Sequence, residues 1–186
     1  MHNFQAVIKN QPPIVNRPFL LITALIISAL ITLASTGTSA NESFSDFKGN
    51  TSSIDAHLGK GKWLVVMLWA SDCHICNQEA HQYVTFHQKH AAIDASVLGI
   101  SLDGEEKKAA AETFIKKHNV SFPNLIGEPA HVAQMYERLT GSSWLGTPSF
   151  MVYTPGGELL GAQAGAIPPK LIESFIERES AAQTDS

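Results

Sequence analysis

The chain has two cysteines, Cys73 and Cys76, two residues apart in "WASDCHICNQEA" (69–80). Sulfur at that spacing can do three things. It can carry electrons by making and breaking one disulfide, it can ligate a soft metal, or it can sit buried and inert. A bridge over two intervening residues closes too small a loop to constrain much of an unfolded chain, so a purely structural staple is poorly motivated. Three ionisable neighbours would tune such a pair. His74, if protonated, favours a Cys73 thiolate, whereas Asp72 opposes it by like charge. Glu79 stands three residues after Cys76 and therefore on the same helix face. Copper could take Cys73, Cys76, His74 and His81, but a helix turns His74 away from the cysteine-facing side. No second Cys-x-x-Cys exists to complete a zinc site. His87, His90 and His118 read as solvated helix positions.

These residues must be held by the elements around them. "KWLVVMLWA" (62–70) is a near-continuous apolar run, the pattern of a strand covered on both faces. Ser71 or Asp72 can cap the helix that follows, from about Cys73 to Lys89, with Ile75, Tyr83 and Phe86 toward the core. A cysteine in that first turn faces unpaired N–H groups and the positive end of the helix dipole, which stabilise a thiolate. "ASVLGISLD" (95–103) is a second buried strand. "GEEKKAAAETFIKKHN" (104–119) reads as a helix with acids early and Lys116 and Lys117 late. "VSFPNLIG" gives a short strand, and "EPAHVAQMYERLTG" a helix with Pro129 near its start and Gly141 near its end. "PSFMVYTPGGELLGAQAG" is a hairpin turning at 154–157. "PPKLIESFIERES" closes the domain as an amphipathic helix, and "AAQTDS" reads as a frayed tail. Before all of these, Phe44 and Phe47 suggest an edge strand, 48–50 a turn, and 54–58 one helical turn. The order is strand, strand, helix, strand, helix, short strand, helix, strand, strand, helix. It predicts an α/β domain with a mixed sheet covered by helices on both faces.

At 186 residues, with 44% hydrophobic and 16% charged residues, the chain is the size of one globular domain. Net charge is −4, and Lys9 and Arg17 both precede the apolar run, so the part after it is more acidic still. That balance gives no reason to expect a nucleic-acid partner, which needs clustered Lys and Arg. "FLLITALIISALITLA" (19–34) follows Arg17 and precedes small residues at 38–40. It predicts an N-terminal segment, 1–40, that is either a cleaved export signal or a retained membrane anchor. Residues 41–182 then form the domain outside the cytoplasm, with 183–186 as a tail. An exported dithiol meets oxidising conditions in which disulfides form.

A buried strand ending in Trp-Ala, then Cys-x-x-Cys at a helix mouth, then a distant Gly-Thr-Pro opening a hairpin, resembles the thioredoxin fold. With "FPNLIGEPAHVAQMYERLTG" between the second strand and the hairpin, the chain is similar to exported thioredoxin-like reductases of the TlpA/ResA type over roughly residues 44–179. The resemblance implies a thiol–disulfide oxidoreductase without cofactor or resident metal. Cys73 attacks a substrate disulfide, Cys76 resolves the mixed disulfide, and Glu79 manages their protons. It implies that Thr147 and Pro148 form a cis-proline loop that seats the substrate chain, with Trp144 lining the groove or packing in the core. Asp72 and His74 tune the pair. Partners would be proteins with disulfides or thiols and a membrane electron-donor protein. The setting would be the periplasm, soluble or tethered by 19–34, in work such as cytochrome c biogenesis. Three departures stand out: Asp72 where thioredoxins carry an aromatic residue, Ile75 for the proline before the second cysteine, and His81 for a proline after Glu79. Thioredoxin's buried strand aspartate is Met67 here. An oxidase or isomerase shares every site residue and differs in redox poise; copper carriage is a further alternative. The peroxiredoxin pattern Pro-x-x-x-Thr-x-x-Cys is missing, since Ala70 stands three before Cys73.

Overall fold

A computed structural model of the chain describes residues 5–6 and 43–184. The strands are β1 (Gln5–Ala6), β2 (Phe44–Asp46), β3 (Thr51–Ser52), β4 (Trp63–Trp69), β5 (Ala95–Ser101), β6 (Asn124–Ile126), β7 (Ser149–Tyr153) and β8 (Leu159–Ala164). The helices are α1 (His74–His90), α2 (Lys108–Lys117), α3 (Pro129–Thr140) and α4 (Pro169–Thr184). All strands join one sheet in the order β1-β8-β7-β4-β5-β6-β2-β3. β4 and β5 run parallel, whereas β4 and β7 are antiparallel, so the sheet is mixed. This is the mixed sheet that the element pattern predicts, and the thioredoxin-like fold that the resemblance implies.

β4 is buried at all seven positions because each face meets its own core. Val65, Met67 and Trp69 point to one side, against Cys76, Tyr83 and Phe86 of α1, Phe114 of α2 and Phe175 of α4. Leu64, Val66 and Leu68 point to the other, against Val132, Met135 and Tyr136 of α3. The two-residue alternation of a strand sorts one apolar run into two cores. β5 crosses over through α1 to lie beside β4, so the carboxyl ends of both strands emerge side by side at one edge of the sheet.

Several elements differ from the sequence expectation. The region before β4 holds two short strands, not one, because β2 turns back through 47–50 to pair with β3. The turn closes on Asp46, whose carboxylate accepts from Lys48 N, Asn50 N and Asn50 Nδ2. α2 begins only at Lys108; Glu105 and Glu106 lie in the turn before it. Ile75 is not a core residue: it is 38% exposed, one position off the face that carries Cys76, Ala80 and Tyr83 inward. α4 continues to Thr184 through most of the stretch expected to fray. The apolar run 19–34 lies outside the described residues, and among the described residues no helix is long and apolar enough to cross a membrane.

Candidate active site

The site starts at the end of β4. Trp69 is fixed there by two contacts: its indole stacks on Phe114 at 4.3 Å, and its Nε1–H donates to Asn124 Oδ1 at 3.0 Å. Gly99 of β5 makes room for that bond, since a Cβ at 99 would lie 1.9 Å from Asn124 Oδ1. The chain then leaves the sheet through Ala70, Ser71 and Asp72. Neither Ser71 nor Asp72 caps α1, contrary to expectation. The capping residue is Cys73 itself, with extended backbone and a sulfur that accepts from Cys76 N at 3.1 Å. Ser71 is occupied elsewhere: its N–H and hydroxyl donate to the two oxygens of Asp103, at 2.9 and 2.6 Å. Asp72 is exposed and pairs with Lys107 Nζ at 3.3 Å, an ion pair worth at most about 1 kcal/mol in water.

Cys73 and Cys76 are joined in a disulfide with Cα atoms 5.2 Å apart. Cys76 is fully buried, and Cys73 is partly exposed. An incoming disulfide therefore meets Cys73 and not Cys76. On reduction, the Cys76 N–H that now points at Cys73 Sγ becomes a donor to the nascent thiolate, reinforced by the helix dipole. Asn77 holds the same turn from the helix side. Its Nδ2 donates to Ser71 O at 2.9 Å and Cys73 O at 3.0 Å, and its Oδ1 accepts from Lys117 at 3.2 Å and contacts His118 Nε2 at 2.9 Å. His74 is exposed on the first turn of α1.

Glu79 has one carboxyl oxygen, Oε2, buried and without a hydrogen-bond partner. Burial raises its pKa above the usual carboxylate range. Tyr83, one turn further, is fully buried and stacks on Phe150 at 4.7 Å, and its hydroxyl donates to Ile167 O. Its pKa is pushed far above the ordinary tyrosine value by burial, and further by the charge of Glu79. Met67 is buried, so β4 offers a thioether and not a carboxylate at that position.

The Thr147–Pro148 bond is cis. Leu68 pairs with Ser149 across β4 and β7, so Pro148 emerges opposite Trp69, at the end of the sheet from which the cysteine loop departs. The turn is tied by Ser149 Oγ donating to Gly146 O at 2.7 Å and Gly165 N donating to Pro148 O at 2.8 Å. Trp144 packs edge-on against Tyr136 at 5.3 Å, and its backbone N–H donates to Glu137, so it belongs to the rim of the α3 core. Leu145, beside it, is 80% exposed.

Three histidines expected in solvent are engaged. His87 Nδ1 accepts from Val97 N, and burial lowers its pKa. His90 lies between Asp94 and Glu173, and His118 meets Asn77. Among the described residues no three His, Cys, Asp or Glu side chains converge as a metal-ligand set. Asp103 and Asn77 escaped the sequence reading. Asp103 had a signal: a Ser-x-Asp at the carboxyl end of a strand parallel to the cysteine strand stands where open α/β sheets place their sites. Asn77 had none, because Lys117 and His118 are 40 and 41 residues away and its local partners are backbone carbonyls, which carry no residue-type signal.

The chain is similar to known proteins. A model of the AhpC/TSA family matches residues 37–160. Sporulation thiol-disulfide oxidoreductase A of Bacillus subtilis is 21% identical over 119 residues, covering 63% of this chain and 68% of that protein. Peroxiredoxin Bcp of the same organism is 30% identical over 79 residues, 42% of this chain and about half (48%) of that protein's length. The crystal structure of a thiol:disulfide interchange protein of the thioredoxin family from Chlorobium tepidum TLS superposes with a TM-score of 0.60 at 18% identity, covering 73% of this chain and 90% of that chain.

Proposed function

This chain belongs to the AhpC/TSA family, and from that premise we propose that it is a thiol–disulfide oxidoreductase acting outside the cytoplasm as a reductase of specific protein disulfides. The observation that carries the reading is the asymmetry of the pair: an accessible Cys73 on the helix N-terminus over a buried Cys76. In the reduced protein, the Cys73 thiolate attacks one sulfur of the substrate disulfide, and the other leaves as a thiolate. Cys76 gives its proton to Glu79 and attacks Cys73 Sγ. The remaining substrate sulfur leaves, and the two electrons taken by the substrate are balanced by the Cys73–Cys76 disulfide. Thr147 and Pro148 present backbone to the substrate chain, with Trp144 at the margin; Asp72 and His74 adjust the field at Cys73. A dithiol donor at the membrane restores the reduced state. The relative named a thiol-disulfide oxidoreductase supports the chemistry. The apolar run 19–34 supports export, and the resemblance to TlpA/ResA-type reductases supports clients in cytochrome c biogenesis.

The direction of electron flow is tested by equilibrating the domain with glutathione and reading its reduction potential. A reductase lies toward the thioredoxin end of the scale, about −270 mV; a value near −120 mV makes the protein an oxidase. The partial match to peroxiredoxin Bcp favours a second reading, peroxide reduction at Cys73. Against it, Ala70 offers no hydroxyl where peroxiredoxins place threonine. Peroxide-dependent oxidation of the reduced protein no faster than that of a free thiol removes it.

A further inference from the structure

Asp103 takes no part in the exchange above, yet among the described residues it is the one Asp, Glu, His, Lys or Arg that is buried, at 6% exposure. Its Oδ2 accepts from Ser71 N at 2.9 Å and Ser101 Oγ at 2.6 Å, and its Oδ1 accepts from Ser71 Oγ at 2.6 Å. Ser101 Oγ in turn accepts from Asp103 N at 3.1 Å, which commits its own proton to the carboxylate. Among the described residues no ion pair reaches Asp103, whereas Asp72 has Lys107. Hydroxyls and one amide satisfy the group's acceptors without cancelling its charge. From this we infer that Asp103 is a positioning residue for Cys73, fixing the loop before it and setting its reactivity with an uncompensated negative charge.

The positioning follows from the strand pairing. β4 and β5 end side by side, and Leu102 N donates to Trp69 O at 2.8 Å, which carries the ladder one step past the strand. Asp103 is the next residue, and it grips Ser71 at both N–H and hydroxyl. Ser71 lies two residues before the nucleophile, so it has no freedom to swing Cys73 away from the Pro148 loop. The charge acts over a short path. Two residues span at most about 7 Å, which puts the carboxylate on the order of 10 Å from Cys73 Sγ. At an effective dielectric near 20, repulsion over that distance is worth about tenfold in an ionisation constant. It disfavours the thiolate, and so makes the disulfide less oxidising. The other charges around the loop are the exposed Asp72–Lys107 pair, His74 and Glu79 on α1, and Lys117 and His118, which meet Asn77 from α2.

The inference rests on Cys73 being the attacking thiol. Asp103→Asn tests the charge with little change of shape: the amide oxygen can accept from Ser71 N and Ser101 Oγ while the amide nitrogen donates to Ser71 Oγ. In the reduced variant, the pH midpoint of Cys73 alkylation should fall by about one unit, tenfold in ionisation constant. The potential, read on the alkaline side of that midpoint, should rise by the equivalent of tenfold, about 30 mV. Ser71→Ala keeps the charge but removes one hydroxyl dipole aimed at it, and should move the midpoint upward. A folded Asp103→Asn protein with wild-type midpoint and potential overturns the inference. So does Ser71→Ala leaving the midpoint unmoved or lowering it, which decides the matter if Asp103→Asn does not fold. A wild-type disulfide that fails to exchange with glutathione is a different failure: it removes the oxidoreductase reading and this inference with it.

Discussion

Glu79 has one carboxyl oxygen sealed from both water and protein partners, and its proposed role is to take the proton of the buried Cys76 thiol. Its raised pKa means that the folded protein holds this proton more tightly than the unfolded chain does. Stability therefore falls as pH rises from the ordinary glutamate value through the raised one. Glu79→Gln has no charge to lose. Its thermal midpoint should be equal to or above wild type near neutral pH and converge with it in acid. The same variant should slow resolution by Cys76 by on the order of ten- to a hundredfold near neutral pH, and the pH–rate profile should lose its acidic limb. An unchanged profile returns Glu79 to an ordinary helix position. The pairing of Cys73 with Cys76 was legible because three-residue spacing at a helix start is written in the sequence. The cap was not. Asp72 and Ser71 are both good capping residues by type, but Ser71 is bound by Asp103, 32 residues away, and the sulfur takes the capping position.

At the scale of elements, strand β4, its turn and helix α1 form a single lever whose tip is Cys73, and their rigidity depends on small contacts with β5 and β6. Gly99→Ala should push Asn124 off Trp69 and leave the buried indole N–H without a partner. The expected cost is about 1–3 kcal/mol in urea unfolding, with a shifted tryptophan emission. Asn77→Ala removes the donors to Ser71 O and Cys73 O. It should lower stability by a comparable amount and slow exchange with substrate, without displacing Cys73's pH midpoint as Asp103→Asn does. The helices and the buried strands were readable because their periodicities are strong. α2 started four residues late because Glu105 N donates to Glu128 and Gly104 adopts a positive φ, drawing 104–107 into a turn. Ile75 misled because it stands one position off the inward face of Cys76, Ala80 and Tyr83, which leaves its apolar side chain 38% exposed near the cysteine pair.

At the scale of the molecule, one sheet with a core on each face brings a helix start, a strand end and a cis-proline turn to a single edge, and every proposed reacting group comes from there. The opposite end of α1 is tied to α4: His90 contacts Asp94 at 2.8 Å and Glu173 at 2.9 Å, and Lys89 also reaches Glu173. The hydrogen bond with His90, and then that from Lys89, lowers the Glu173 pKa below its ordinary value of 4.5. This contribution to stability is full above the ordinary value and is lost as pH falls through the lowered one. Glu173→Gln should thus cost up to about 1 kcal/mol at neutral pH and nothing in acid, with no effect on the dithiol. The mixed sheet and its two layers were legible from the order of strands and helices; the clasp was not, because it joins side chains 83 residues apart. The account's central claim is that Cys73 attacks and Cys76 resolves. Reduced Cys76→Ser protein incubated with disulfide-bearing extracellular proteins should accumulate mixed disulfides that map to Cys73, are released by reductant and are absent when Cys73 is also replaced. A Cys76→Ser protein that traps nothing through Cys73 would contradict the mechanism.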